Sequence, residues 1–265
     1  MTSLEARTIQ TALASVSPYV LEKYAARGSL NISNKAEAND LVTEVDEEAQ
    51  RRLAAIIEAA HPGDAIVGEE LDMGELPADR KGRCWFIDPI DGTQNFVRGL
   101  FPIFGISVAF SENGIAQAGG VSMPVVGDTY LAERGLGAYR NGERLRVSTV
   151  PSLSTTRAEI DFGNPLIRQL TLERFSRILV GAGQVRCHCA AVFGLCSVAS
   201  DNADGYFQVD LNPWDYAAAA LIVEGAGGKV TRLDGSQVNL FDTERGILAT
   251  NGIIHAECLR TIDRV

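Results

Sequence analysis

The chain of 265 residues has a formal charge of −10 and is 46% hydrophobic and 22% charged. That length suits one large domain or two closely packed ones with a substantial core, and the composition is ordinary for a globular protein. The acidic balance argues against a nucleic-acid backbone as the main partner, whereas a phosphorylated small molecule stays admissible if a divalent cation offsets the repulsion.

No apolar run approaches the roughly 20 residues that span a bilayer. The start, Met1-Thr2-Ser3-Leu4-Glu5, lacks the basic and apolar regions of a signal peptide. Five cysteines, an odd number, point to free thiols in a reducing compartment, hence the cytoplasm. Cys187-His188-Cys189 is spaced more tightly than zinc pairs usually are, and no second Cys/His pair follows at finger-like distance. Buried small side chains are the expectation there.

In chain order, the pattern predicts a helix from Leu4 to Arg27, ended by Gly28 at the C′ position. Asn31 to Asn39 reads as a polar loop. Val45, Ala49, Leu53, Ile56, Ile57 and Ala60 recur at helical spacing, and His61-Pro62-Gly63 stops that helix. Thr43 followed three residues later by Asp46 matches a capping box. Ala65-Ile66-Val67 is a short buried strand running into Gly68-Glu69-Glu70. Gly74 to Gly82 reads as a charged surface loop. Trp85-Phe86-Ile87 is a buried strand end that gives way to Asp88-Pro89-Ile90-Asp91-Gly92-Thr93-Gln94-Asn95-Phe96. Thr93 opens one or two helical turns.

From Phe104 to Arg146 the pattern is β. Strands are expected at Phe104–Phe110, Ile115–Ser122, Asp128–Leu131 and Ala138–Tyr139, with hairpin turns at Glu112-Asn113-Gly114 and Asn141-Gly142. The first half is therefore expected to be two helices followed by an antiparallel meander. The second half alternates. Strands are expected at Arg157–Asp161, Gln184–Arg186, Gly205–Val209, Gly228–Arg232 and Ile247–Thr250. Helices are expected at Leu166–Leu179, Ala190–Ser200, Trp214–Glu224 and His255–Asp263. That alternation suggests a mixed sheet covered by helices. The change near Pro151 divides the chain into an α+β lobe, 1–150, and an α/β lobe, 151–265, within one compact unit. Gly225-Ala226-Gly227-Gly228 follows a helix rather than a strand, the wrong context for a dinucleotide fingerprint.

The chemistry resides in carboxylates. Glu69, Asp88 and Asp91 cluster at the ends of two apolar strands. Asp46 and Asp215 lie at the starts of two helices, where N–H groups are free. Asn212 as cap, Pro213 in the first turn and Asp215 make an ordinary helix start on their own. Together, hard oxygen ligands select Mg²⁺ or Mn²⁺ rather than zinc. Four carboxylates (Glu69, Asp88, Asp91, Asp215) offset about two divalent ions, the arrangement that serves phosphoryl transfer to water. Arg98 is the one base near the central motif.

Four stretches, in order, resemble the signatures of the inositol monophosphatase family. They are Asp40-x-Val42-Thr43-x-x-Asp46, Gly68-Glu69-Glu70, Asp88-Pro89-Ile90-Asp91-Gly92-Thr93-x-Asn95-Phe96 and Trp214-Asp215-x-Ala217-Ala218. The resemblance implies a layered α-β-α-β-α sandwich of the type shared with fructose-1,6-bisphosphatases, a homodimer, and a Mg²⁺-dependent, lithium-sensitive phosphomonoesterase. It implies two Mg²⁺ per chain with room for a third, and Mn²⁺ as a substitute. Glu69, Asp88 and the Ile90 carbonyl would hold the first ion, and Asp88, Asp91 and Asp215 the second. Glu69 or Glu70 would help hold a third. Thr93 and Asp46, with Glu69 nearby, would orient and deprotonate the attacking water, and the N–H groups of Gly92 and Thr93 would bind phosphate. On the alcohol side the resemblance points to Asp91, Asp215, Arg186, Ala191 and Gln208. Here the chain departs from the family pattern. Cys189 and Ala190 replace the usual Gly and Ser/Thr, and Gln208 replaces a frequent Glu, losing its charge. Inositol 1-phosphate is the default substrate. Histidinol phosphate, 3′-phosphoadenosine compounds and fructose 1,6-bisphosphate are alternatives, as is a regulatory, non-catalytic protein on the same fold.

Overall fold

A computed structural model describes residues 2–29, 32–34, 41–70, 76–77, 80–99 and 101–262. Asp40, Asn31, residues 35–39 and much of the Gly74–Gly82 loop lie outside the described residues.

Five layers stack on one another. The outermost is a pair of helices, α1 (Leu4–Ala25) and α2 (Glu44–Ala60). Next comes a seven-stranded sheet in the order β3 (Ala65–Gly68), β4 (Arg83–Asp91), β5 (Gly105–Glu112), β6 (Ile115–Met123), β7 (Asp128–Glu133), β8 (Gly137–Arg140) and β9 (Glu143–Arg144). Helices α5 (Ala191–Ala199) and α6 (Pro213–Gly225) form the middle layer. A five-stranded sheet follows, ordered β11 (Gln184–Arg186), β10 (Arg157–Ile160), β12 (Gly205–Gln208), β14 (Ile247–Thr250) and β13 (Lys229–Thr231). Helices α4 (Pro165–Gly181) and α7 (His255–Thr261) close the stack. Two small elements complete it: the antiparallel pair β1 (Ile32–Asn34) and β2 (Leu41–Thr43), and the short helix α3 (Thr93–Arg98).

Strand alternation explains the layering. Trp85 and Ile87 on β4 join the α1–α2 core, while Cys84 and Phe86 face the core around α5 and α6. Successive side chains point to opposite faces, so a near-continuous apolar run marks a sheet covered on both sides. Two glycines on β6 set how closely helices approach those faces. A β-carbon on Gly119 would lie 2.8 Å from the Ala218 Cα of α6, and one on Gly120 would lie 2.6 Å from Ile9 of α1. The middle core draws on both halves of the chain, from Val67 to Ala249.

Three expectations need correcting. Helix α1 stops at Ala25, capped by Ala26, and Gly28 lies in a short 3₁₀ turn rather than at C′. Ile32–Asn34, inside the expected loop, is a strand paired with Leu41–Thr43. The strand expected to end at Ile87 runs on to Asp91, so Asp88 lies inside β4, whereas the meander from Phe104 to Arg146 is antiparallel as expected and β3 joins β4 in parallel. The second sheet is mixed as expected, parallel at β10–β11 and β10–β12 and antiparallel at β12–β14 and β13–β14.

His255 gives this scaffold a pH dependence remote from the carboxylates. The ring is buried between Thr231 Oγ1 (2.9 Å) and Thr250 Oγ1 (2.8 Å). Burial pushes its pKa down to about 4, with Lys229 adding, from 6.5. Between those values the unfolded chain binds more protons than the native one, so stability rises with pH across that window. Across pH 4.5, 5.5 and 6.5 (roughly spanning the window) the urea midpoint of the native sequence should gain steadily on that of His255→Gln, whatever slope the other groups give both. Equal slopes would remove His255 as the cause.

Candidate active site

The site begins with an irregularity in β4. Asp88 pairs with Ser107 and Asp91 with Gly105, so three steps on β4 answer two on β5. Residues three apart on a regular strand face opposite ways. The extra residue of a bulge returns them to one side. Pro89, which has no N–H to give, sits inside that bulge, where a ladder bond is already lost. The Ile90 N–H instead donates to Asp88 Oδ1 at 2.9 Å, fixing that carboxylate. Gly92 then takes φ 89° and caps α3. A β-carbon there would meet Ile103 O at 3.0 Å and Ala190 Cβ at 3.1 Å, so glycine is required twice over.

Around this turn four carboxylates converge. Asp88 is buried, and burial first, then the charges of Glu69, Asp91 and Asp215, hold its pKa well above the ordinary value. Asp91 is pushed up to about 8 by burial, with Asp161 and Glu69 adding, against N–H donors from Val192 and Ala191. Asp215 is also raised well above its usual value, first by burial and then by Glu69 and Asp91. Glu69 acts on all three from the end of β3, and its N–H donates to the Ile87 carbonyl at 3.3 Å. Asp215 comes from the far half of the chain. It sits at the start of α6, where Asn212 N donates to its Oδ2 at 2.7 Å, and Ser107 of β5 holds the adjoining Trp214 carbonyl at 3.1 Å. Buried carboxylates that raise one another's pKa are a costly arrangement unless cations neutralise them. Their oxygens are the donors that hard divalent ions take. The chemistry of the donor set therefore fits Mg²⁺ or Mn²⁺.

Asp46 serves both roles considered for it, one oxygen to each. Oδ2 accepts from Thr43 N (2.9 Å) and Thr43 Oγ1 (2.5 Å), closing the capping box of α2. Oδ1 faces Thr93, whose hydroxyl lies 3.3 Å away and is also 3.0 Å from the Ile90 carbonyl. The cap thus fixes the carboxylate that addresses Thr93. Glu70 is buried, its main chain clamped by the Gln50 amide, with Glu70 N 2.9 Å from Gln50 Oε1.

The alcohol side is built by α5 and the loop before it. Ala191 is buried at the first position of α5, and Val192 N donates to Asp91 Oδ2 at 2.8 Å. Asn95 of α3 ties this loop down, donating to Ile103 O (2.8 Å) and His188 O (2.7 Å). Gln208 is buried, with its amide oxygen accepting from Val209 N at 2.8 Å. Arg186 is exposed on β11 and donates to Gln184 Oε1 at 2.9 Å. It lines a cavity of about 330 Å³ together with Glu159, His188 and Phe193. Arg98 is exposed at the end of α3.

Cys187 and Cys189 are not the buried side chains expected. Both are exposed, 3.6 Å apart at sulfur, while the remaining cysteines, Cys84, Cys196 and Cys258, are buried, and all five are free thiols. The sequence reading also passed over Asp161. It stands at the C-terminal end of β10, held by Tyr206 OH at 2.9 Å and Cys189 N at 2.8 Å, and acts on Asp91. Asp161 directly follows β10 as Glu69 directly follows β3, but the strand before it, Arg157–Ile160, alternates charged and apolar residues, so no apolar run pointed to it.

The Inositol monophosphatase family model matches residues 3–265. A Thermotoga maritima protein named fructose-1,6-bisphosphatase/inositol-1-monophosphatase is 37% identical over 241 residues, spanning 89% of this chain and 87% of that one. A Chlorobaculum parvum histidinol-phosphatase is 34% identical over 230 residues, 87% of this chain and 86% of that one. The crystal structure of the extragenic suppressor protein suhB from Bartonella henselae superposes with a TM-score of 0.87 at 27% identity, covering 96% of each chain. With the sandwich, the bulged aspartate turn and the family match in agreement over the same residues, this chain belongs to the inositol monophosphatase family.

Proposed function

We propose that the protein is a Mg²⁺-dependent hydrolase of a small phosphate monoester, with inositol 1-phosphate as the default substrate. The observation that carries this reading is the convergence of Glu69, Asp88, Asp91 and Asp215, three of them with pKa values lifted by burial and mutual repulsion. Glu69, Asp88 and the Ile90 carbonyl would hold one Mg²⁺, and Asp88, Asp91 and Asp215 a second. Glu70 would help hold a third. When bound, the ions supply charge neutralisation at phosphate and lower the pKa of water, so that a weak base suffices.

The chain's own groups do the rest. Gly92 and Thr93 present main-chain N–H groups to the phosphate oxygens at the start of α3. Thr93, oriented by Asp46, receives a hydrogen bond from the attacking water and relays its proton towards that carboxylate. Water attacks phosphorus in line, and no serine or cysteine nucleophile is needed. Residues from both halves supply the site, so the two lobes work as one unit. Exposed Leu166, Leu172 and Val180 of α4 and Val185 of β11 support a homodimer, to be tested by light scattering.

A phosphate-release screen over inositol 1-phosphate, histidinol phosphate, 3′-phosphoadenosine 5′-phosphate and fructose 1,6-bisphosphate with millimolar Mg²⁺ tests the reading. Release neither from these nor from any other phosphate monoester would overturn it. Histidinol phosphate is the second reading. Asp161 beside Asp91 places a negative charge on the alcohol side that suits a cationic alcohol, and it predicts a much larger kcat/KM for that substrate than for inositol 1-phosphate. Comparable values would remove it. Li⁺ is expected to inhibit at tens of millimolar (roughly), since a small monovalent ion suits the oxygen set that would hold the second Mg²⁺. Unchanged activity would mean a different set around Asp91 and Asp215.

A further inference from the structure

The exposed thiols before α5 carry chemistry that phosphate hydrolysis does not use. Cys187 Sγ and Cys189 Sγ are 3.6 Å apart, and Cys187 Sγ is 3.7 Å from Asp161 Oδ1. One ligand atom from each of the three residues lies within 4.8 Å of the other two. A tetrahedral ion with sulfur at about 2.3 Å and oxygen at about 2.1 Å has an S–S edge of about 3.8 Å and an S–O edge of about 3.6 Å. The S–S and S–O separations of 3.6 and 3.7 Å fall close to those edges. A disulfide needs its sulfurs at about 2.05 Å, and both thiols here are free.

The surroundings hold the three ligands in place. Asp161 accepts from Tyr206 OH at 2.9 Å and from Cys189 N at 2.8 Å, the kind of outer hydrogen bonding that orients a metal-binding carboxylate. Cys189 adopts φ 55°, in the left-handed region that residues with a β-carbon seldom enter. His188 is committed elsewhere, with Nδ1 2.7 Å from Glu159 Oε2 and its ring against Phe193. Two thiols and one carboxylate remain, with the sulfurs open to solvent.

We propose that Cys187, Cys189 and Asp161 form a second kind of cation site, for a soft divalent ion of the Zn²⁺ class. Thiolates select such ions, whereas the all-oxygen cluster around Asp88 selects Mg²⁺, so the two sites sort cations by ligand softness. Binding releases the two thiol protons to solvent. The site is joined to the carboxylate cluster by short connections. The loop runs through Ala190 into the α5 N–H groups that hold Asp91, and Asn95 clamps His188 O at 2.7 Å. An ion here occupies the alcohol side and engages Asp161, so Zn²⁺ lowers phosphatase activity at saturating Mg²⁺. The binding stands on its own geometry, and only the inhibition rests on the phosphatase reading.

The test uses the full chain, reduced with a phosphine and kept in excess Mg²⁺. Titration with Cd²⁺ should raise a thiolate-to-metal absorption band that saturates at one ion per chain. Cys187→Ser and Asp161→Asn should each weaken that binding at least about 10-fold. Cys187→Ser should keep its Mg²⁺-supported phosphate release and lose Zn²⁺ inhibition. Absence of the band, or a band equally strong in Cys187→Ser, overturns the site. Zn²⁺ inhibition of equal strength in Cys187→Ser overturns the coupling to activity. A chain that binds Cd²⁺ as expected but releases no phosphate from any ester supports the site and refutes the phosphatase reading.

Discussion

Asp88→Asn should abolish phosphate release and, without added metal, make the protein more resistant to heat. The two effects have one cause. Asp88 is buried, and its pKa is raised by burial and by Glu69, Asp91 and Asp215. In the proposed site it is the carboxylate shared by both ions. Loss of an outer hydrogen bond to a metal ligand typically costs 10–100-fold, so loss of the shared ligand itself should lower kcat by more than about 100-fold. The amide keeps a carbonyl oxygen to accept from Ile90 N, now 2.9 Å away, so the turn survives. Without cations the repelling cluster holds a proton on Asp88 that the unfolded chain would release at neutral pH, and the neutral amide removes that cost. Each unit of pKa elevation relieved is worth about 1.4 kcal/mol, and each kcal/mol raises Tm by about 2–4 °C in a chain of this size. Calorimetry in chelator against excess Mg²⁺ checks both halves, with the variant melting above the native protein in chelator and below it in Mg²⁺. Retained turnover, or the same order of melting in both buffers, would contradict the assignment. In cells, survival of function in a catalytically dead Asp88→Asn would point to the regulatory alternative.

The second large effect is stabilisation of the native sequence by Mg²⁺ alone. An ion that binds only the folded state adds about 2.7 kcal/mol at one hundred times its Kd, which is a Tm rise on the order of 5–10 °C per site. The rise should be steepest at neutral pH and should shrink as the buffer becomes acidic. Asp91 keeps its proton up to about pH 8 in the ion-free fold, against an ordinary value of 3.8. Native protein therefore holds more protons than unfolded chain across that range, and ion-free stability falls as pH rises. Mg²⁺ displaces the proton and should flatten that fall. A Tm indifferent to millimolar Mg²⁺ at pH 7.5 (about the middle of the physiological range) would mean that these carboxylates do not form a cation site.

Much of this was legible in the chain because the signals are local. A helix cap at Thr43 and Asp46, glycine turns at Asn113-Gly114 and Asn141-Gly142, and acids just after apolar runs at Glu69 and Asp88 all depend on neighbours a few residues away. The parallel pairing of β3 with β4 was missed because pairing direction is decided by how a connection crosses the sheet, which no short window records. Gly28 was misplaced because the chain turns at Ala26 without needing a left-handed residue. Cys187 and Cys189 were expected in the interior by composition alone. Their exposure follows from the loop between β11 and α5, which Asn95 and Asp161 anchor from distant segments.

The sequence by itself determined which groups are available: five informative acids, Thr93 beside them, and a Pro and a Gly that bend the strand between Asp88 and Thr93. The tertiary structure decided how they are shared out. The bulge put Asp88 and Asp91 on one side, the α5 N–H groups were brought to Asp91, and α6 carried Asp215 to Glu69 across more than half the chain. Asp46 divides its two oxygens between its own helix cap and Thr93, a division visible only once the start of α3 meets the start of α2. The reason is physical. Caps and turns are settled by bonds within one turn of backbone, whereas charge repulsion, burial and pKa are settled by which elements the cores at Gly119 and Gly120 allow to pack closely.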